Sequence, residues 1–325
     1  MIKILIVFIL VLPAILFLAI YLLTNPTSSS YLSKISIPVS KKNLYESVAA
    51  LVDTEQFRNY LNTRALNQAA EFIQEKFEAS GGRVDIQEYG FGDNLYKNVI
   101  CSFGPENGER IVIGAHYDVC EHQPGADDNA SGVAGLLEIA RLLGTEKPDL
   151  KCRVELAAYT LEEPPFFKTG HMGSAVHARS LADKSLPVRE MISLEMIGYY
   201  SDQEGSQRYP LDFFKWFYPN RGNFIAVVGN LSQFTLTRRC KDYLTQASQV
   251  EVYSINAPAL LPGIDLSDHQ SFWRCGFPAV MVTDTAFYRN DNYHQPGDTI
   301  DTLDFDKMAE VVKGVYWYLI NRARA

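Results

Sequence analysis

From Ile4 to Leu23 the chain is an almost unbroken apolar run, about the length of helix that spans the hydrocarbon core of a bilayer. The run ends Tyr21-Leu22-Leu23-Thr24-Asn25-Pro26, without the small residues of a signal-peptide cleavage site. Residues 1–24 are therefore expected to be a membrane anchor, with a cleaved signal and a secreted product as the alternative. Lys3 precedes the run and Lys34, Lys41 and Lys42 follow it, so flanking charge gives no clear orientation. The N-terminal position of the segment is what suggests a domain on the non-cytoplasmic side, whether periplasmic, extracellular or lumenal. Residues 25–41 are polar, Pro-bearing and aperiodic, as a linker is. That leaves 42–325 as the folded domain.

Within this domain the apolar residues from Asn62 to Phe77 recur at helical spacing and stop at Gly81-Gly82. This predicts an amphipathic helix with an Asn cap. Strand-like runs follow at Tyr96–Phe103, Arg110–Ala115, Arg153–Tyr159, Met191–Leu194, Phe224–Val228 and Ala279–Val282. Helical patterns such as Ser131–Leu143 and Phe305–Ile320 lie among them. Alternation of Val- and Ile-rich strands with helices predicts an α/β fold whose mainly parallel sheet is covered on both faces. In such folds ligands bind beyond the carboxyl ends of the strands, which says where chemistry is to be sought.

Composition narrows the function. The 47% hydrophobic fraction is that of a globular chain, and the net charge of −8, with Lys41-Lys42 and Arg238-Arg239 as the only basic pairs of note, gives no footprint for nucleic acid. Five cysteines with no CxxC spacing signal neither a disulfide framework nor a thiolate metal site. Cys101 and Cys152 fall in strand-like runs and could pair across a sheet; buried free thiols are an equal alternative.

The residues just after the strands are unusual. His116 and Asp118 follow IVIGA, Glu162 and Glu163 follow VELAAYT, and Glu195 follows MISL, while Asp127-Asp128 and His294 stand in two further loops. Taken singly, each has a bland account: a satisfied structural histidine, a solvated acidic turn, a helix cap. Successive strands of one sheet ending in imidazole or carboxylate are harder to explain that way. Such ligands without thiolate suit zinc, and a bridging carboxylate allows two ions. The chemistry also needs a base that is not a ligand, which one of two adjacent glutamates can supply.

Taken in order, HYD, PGADDNASGVAGLLEIAR, EE with HMGS downstream, SLEMIG, SDHQSFW and YHQPGDT resemble the pattern of the M28 metallopeptidases over about Asn62 to Ile320. The resemblance implies a three-layer α/β/α domain with a mixed sheet of about eight strands. It implies two zinc ions, Asp128 bridging them, His116 and Glu195 completing one site and Glu163 and His294 the other. It makes Glu162 the general base, Asp118 the acceptor that fixes the His116 tautomer, and Tyr293 a donor to the developing oxyanion. The expected activity is hydrolysis of N-terminal residues from peptides. A single-zinc glutaminyl cyclase, or a non-catalytic membrane-tethered domain, is the alternative; cyclase relatives usually carry Trp where Tyr293 stands. Two departures stand out. Glu195 occupies a place where many relatives have Asp, and Pro164–Met172 replaces a short turn at the expected rim, where Lys168 and His171 could touch substrate.

Overall fold

A computed structural model describes residues 2–25 and 35–324, with backbone alone for residues 2–11. Eight strands form one sheet: β1 (Arg83–Phe91), β2 (Asn94–Phe103), β3 (Arg110–His116), β4 (Arg153–Tyr159), β5 (Val188–Glu195), β6 (Phe224–Gly229), β7 (Glu251–Asn256) and β8 (Ala279–Thr283), in spatial order β1-β2-β4-β3-β5-β8-β6-β7. The central pairs β4/β3, β3/β5 and β5/β8 are parallel, as is β6/β7; the pairs β1/β2, β2/β4 and β8/β6 are antiparallel. Strands β3, β4 and β5 are buried almost throughout, as expected of strands covered on both faces.

Helices α2 (Lys41–Val52), α3 (Thr63–Ala79), α4 (Gly132–Glu146), α6 (Phe234–Ala247) and α8 (Phe305–Ala323) cover one face, and α5 (Gly173–Asp183) and α7 (His269–Arg274) the other. The larger core joins the first group to the sheet through residues such as Ile73, Phe77, Leu136, Ile113, Leu156 and Val315. The smaller gathers Ala178, Leu181 and Phe272 over Val112, Tyr159 and Met191. The three-layer expectation and the mixed eight-stranded sheet are therefore observed.

Several details differ from the sequence-based expectation. The strands β1 and β7 were not anticipated: β1 is an edge strand with no buried position, so its hydrophobic pattern is weak, and the alternating pattern of β7 is short. Asn62 occupies the N-cap position of α3 without making a side-chain cap bond; its amide donates to the Phe57 carbonyl instead. All five cysteines are free, so the pairing of Cys101 with Cys152 does not occur. Of the expected linker, residues 26–34 lie outside the described residues. Its end is not a loose tether, because Ile37 and Val39 pack on the core and Ser40 caps α2 through Asn43 N–H at 3.2 Å.

The N-terminal residues form helix α1 (Ile2–Thr24). Among the described residues no helix is long and apolar enough to cross a membrane; the side chains of residues 2–11, the first part of the expected span, lie outside them. From Leu12 to Leu18 the large apolar side chains of α1 are exposed. The helix meets the domain at its C-terminal end, where the Tyr218 hydroxyl donates to the Thr24 carbonyl at 3.1 Å and Lys241 Nζ to the Asn25 carbonyl at 2.6 Å.

Close packing between α4 and the end of α3 provides a test of this architecture. A Cβ added at Gly144 would overlap the Ser80 carbonyl oxygen. Helix propensity favours Ala over Gly by about 1 kcal/mol, but overpacking against rigid backbone costs about 1–3 kcal/mol or more. Gly144→Ala is therefore expected to lower stability, as chemical denaturation would show; a stabilised variant would mean that α3 and α4 do not approach as described.

Candidate metal centre

Strand register brings the first ligands together. Gly114 of β3 lies opposite Ser193 of β5, so with side chains alternating every residue, His116 and Glu195 project from the same face two residues further on. His116 is also opposite Tyr159 of β4, after which Thr160 and Leu161 carry the chain to Glu162 and Glu163. Leu161 has φ 60°, a left-handed conformation that turns the chain sharply at the sheet edge.

The third contributor is the irregular turn Ala126–Ser131, in which Asp128 and Asn129 leave helical dihedrals. Its backbone is held by side chains from distant segments. Asp298 accepts from the N–H groups of Asp127 and Asp128 at 2.9 and 3.0 Å. Asn129 donates to the Leu194 carbonyl and accepts from Met196 N–H. Asp127 accepts from Gly198 N–H and Asn290. Arg58, 1% exposed, donates to the carbonyls of Tyr117, Leu51, Pro124 and Gly125 at 2.6–2.8 Å. Sequence reasoning gave no role to Arg58, Asn290 or Asp298, because their contribution is a long-range bond, to backbone for Arg58 and Asp298 and to the Asp127 carboxylate for Asn290, that no local pattern announces.

Asp128 meets two imidazoles, one at each carboxylate oxygen, and each imidazole has one glutamate beside it. Asp128 Oδ1 lies 3.4 Å from His116 Nε2 and Oδ2 lies 3.2 Å from His294 Nε2. Glu195 Oε2 is 3.4 Å from His116 Nε2, and Glu163 Oε2 is 3.2 Å from His294 Nε2. Tetrahedral zinc with bonds of about 2.0–2.1 Å holds neighbouring N and O ligands roughly 3.3 Å apart. Among the described residues His116 Nε2, His294 Nε2, Asp128 Oδ2 and Glu163 Oε1 are buried without a hydrogen-bond partner, which natural interiors rarely tolerate. These residues fit zinc. Glu162 Oε2 stands further off, 3.9 Å from His116 Nε2.

Asp118 contributes differently from what the resemblance implied. The contact of hydrogen-bond length to His116 Nδ1 comes from its backbone carbonyl at 3.1 Å, with its carboxylate at 3.5 Å. The carboxylate oxygens accept instead from the N–H groups of Glu162 and Glu163, each at 3.1 Å. Tyr293 stacks on His294 with ring centroids 3.8 Å apart. Of the SDHQSFW segment, Ser267 donates to Glu195 Oε2 at 2.7 Å, and burial pushes the Asp268 carboxyl up to about 7. Cys120, half-buried, has its sulfur within 4.8 Å of ligand atoms of Glu163 and His294, although cysteine spacing had signalled no thiolate site. In the rim segment, Lys168 pairs with Asp265 at 2.7 Å and His171 packs edge-on against Phe91, so both brace the loop.

Charge follows from this crowding. Burial, followed by the Asp128 charge, pushes Glu163 up to about 8; burial likewise raises Glu162 and Glu195. For His116 burial opposes the proton, but Glu195, Glu162, Asp118 and Asp128 together hold it well above the usual imidazole range. Asp128 is lowered despite burial, because an imidazole stands against each of its oxygens.

Beside the centre lies a cavity of about 850 Å3, counted to its open mouth, walled by Phe214, Phe224, Tyr253, Leu261 and Ile264 and reaching Glu195 and Tyr293.

The model of peptidase family M28 matches residues 98–318. An Escherichia coli K12 protein, uncharacterised and designated YfbL, is 46% identical over 324 residues, 97% of each chain. A probable leucine aminopeptidase of Arthroderma otae is 26% identical over 315 residues, covering 93% of this chain and 77% of that one. Among solved structures, the Bacillus subtilis zinc aminopeptidase BSAP superposes with TM-score 0.71 at 14% identity, over 90% and 97% of the two chains. A Bacteroides thetaiotaomicron glutaminyl cyclase does so with TM-score 0.66 at 20% identity, over 88% and 99%.

The raised acids generate a test in the metal-free protein. Glu163 titrates near 4.5 when unfolded and near 8 when folded, so the folded state holds the extra proton. That stability is fully present below about pH 4.5 and is lost as pH rises through about 8. Chelator-treated protein should therefore show a falling Tm from about pH 5 to about pH 8, and added zinc should release protons. A flat Tm over that range would contradict the buried carboxylate cluster.

Proposed function

The chain belongs to peptidase family M28 and is a peptide hydrolase, and from that premise we propose that it is a dinuclear zinc aminopeptidase with Glu162 as its base. The observation that carries this reading is Asp128, whose two oxygens face two different imidazoles, each accompanied by one further carboxylate. His116, Asp128 and Glu195 form one ligand set, Asp128, Glu163 and His294 the other. When bound, zinc supplies Lewis acidity toward a carbonyl and acidifies a water.

The protein's own groups do the remaining work. Glu162 lies near His116 but outside both ligand pairs; it takes the proton of the attacking water and delivers it to the leaving amine. Asp118 holds the Glu162–Glu163 backbone, fixing both carboxylates relative to the strand ends. In this reading Tyr293, whose ring stacks on His294, donates toward the developing oxyanion. The net acidic surroundings favour a substrate ammonium group. The aromatic and aliphatic cavity reaching Glu195 and Tyr293 receives the side chain of the N-terminal residue, which favours large apolar residues.

The likeness to a glutaminyl cyclase fold keeps cyclisation of N-terminal glutamine as the second reading. We propose further that α1, whose large apolar side chains from Leu12 to Leu18 stay exposed although the Phe17 ring meets Phe217 of the domain, belongs to a membrane anchor that holds the domain on the non-cytoplasmic side.

Three expectations follow. Glu162→Gln should keep two zinc per chain and the fold while turnover falls by about 10²–10⁴, the usual worth of a positioned proton acceptor. Glu163→Gln should lower zinc affinity and regain activity in excess zinc. Metal analysis with steady-state kinetics checks both; loss of zinc from the first variant and retention by the second would reverse the roles. On a panel of aminoacyl and glutaminyl substrates, Leu and Phe amides should be hydrolysed with kcat/KM well above Asp or Gly amides. Cyclisation of glutaminyl substrates with one zinc per chain would select the second reading.

A further inference from the structure

We propose that Cys120 is a sulfur ligand of the second ion, the one held by Asp128, Glu163 and His294; the proposal rests on the dinuclear reading above. Cys120 lies four residues beyond His116, on chain that continues β3 past the sheet edge. Its neighbours are fixed. Val119 N–H donates to the Arg58 carbonyl at 3.1 Å, Asn59 donates to the Glu121 carbonyl, and Glu121 takes φ 45°, turning the chain away immediately after the cysteine. The thiol is thereby held where ligand atoms of Cys120, Glu163 and His294 all lie within 4.8 Å of one another.

A cysteine near a histidine is not in itself a site. The second observation is Glu163, 4% exposed, whose Oε1 has no hydrogen-bond partner among the described residues, alongside His294 Nε2 in the same condition. Both residues belong to the group whose ligand atoms lie within 4.8 Å of one another and of the thiol sulfur. Zinc–sulfur bonds of about 2.3 Å and zinc–nitrogen bonds of about 2.0–2.1 Å place S and N roughly 3.6 Å apart on a tetrahedral ion, a separation the 4.8 Å envelope admits. Binding releases the thiol proton to solvent.

The consequence is an asymmetric centre. With Asp128, Glu163, His294 and Cys120 the second ion has four protein ligands, the closed coordination of structural zinc. The first ion, with His116, Asp128 and Glu195, keeps an open position. Glu162, 3.9 Å from His116, and the apolar cavity, which reaches Glu195, both border the residues that would hold the first ion. Substrate and base therefore converge on the first ion, while the second organises Asp128 and His294.

The test is cobalt substitution of the full-length protein, with thiol mapping alongside. Loaded with two Co2+, the wild type should show an intense thiolate-to-cobalt charge-transfer band that Cys120→Ser lacks. Ser at this position should also weaken the second zinc by at least about tenfold, since even outer-shell partners are worth 10–100-fold. Alkylation of Cys120, read by peptide mapping, should proceed in chelator-treated protein and be blocked by zinc. If two Co2+ bind with no sulfur band and Cys120 alkylates equally with and without zinc, the proposal is overturned while the dinuclear centre stands. If fewer than two metals bind the wild type, the dinuclear reading fails and the proposal falls with it.

Discussion

Asp128 is 1% exposed and sits among three further carboxylates, those of Glu162, Glu163 and Glu195, each at most 6% exposed. Burying one carboxylate without a counter-charge is prohibitive, and buried acids respond by taking up protons. Here two imidazoles, one on each oxygen of Asp128, supply part of the compensation. They do not complete it, since Glu163 still rises to about 8. The arrangement is therefore one that needs added positive charge, and divalent ions between imidazole and carboxylate provide it. Metal affinity, proton binding and stability of this domain are linked through that one requirement.

Everything around Asp128 serves to keep acids in place that would otherwise repel one another. Asp298 and Asp118 each spend both carboxylate oxygens on two successive backbone N–H groups, one pair at Asp127-Asp128 and the other at Glu162-Glu163. The two bonds fix backbone orientation, so the ligand side chains emerge at set angles. Arg58 does the complementary task with four carbonyls, closing the chain on either side of the Pro124-Gly125 turn. Gly125 has φ 64°, and a Cβ there would meet Val119 and the Asp128 carbonyl, so only glycine fits.

The sheet and the His and acid residues gathered at its edge were legible because both rest on short-range signals. The central strands are Val- and Ile-rich runs whose ends carry His or acid, and parallel topology puts those ends on one edge. The edge strand β1 escaped because, with no face buried, nothing forces its residues into alternation. The supporting shell escaped for a different reason. Arg58 reads as an ordinary charge in a polar stretch, and only the fold brings it within reach of Tyr117 and Pro124. The Asp118 carboxylate does stand 3.5 Å from His116 Nδ1, but sequence proximity to His116 conceals its bonds to the Glu162 and Glu163 N–H groups, 44 and 45 residues away. Cys120 gives no signal by spacing, a criterion suited to all-cysteine sites and blind to a thiol brought near histidine and carboxylate from other loops.

How two adjacent glutamates acquire separate roles is a matter of backbone rather than side-chain chemistry. Consecutive residues on a regular strand point to opposite faces, which would send one of the pair into the core. Leu161, fully buried in a left-handed conformation, ends the strand before that alternation can continue. The next two N–H groups then turn together onto Asp118, so that both carboxylates face the centre from one side. Glu163 reaches His294 at 3.2 Å, while Glu162, one residue nearer the strand, stops 3.9 Å from His116. A shared anchor with different reach thus separates two chemically identical side chains, which is the ground on which one is proposed as ligand and the other as base.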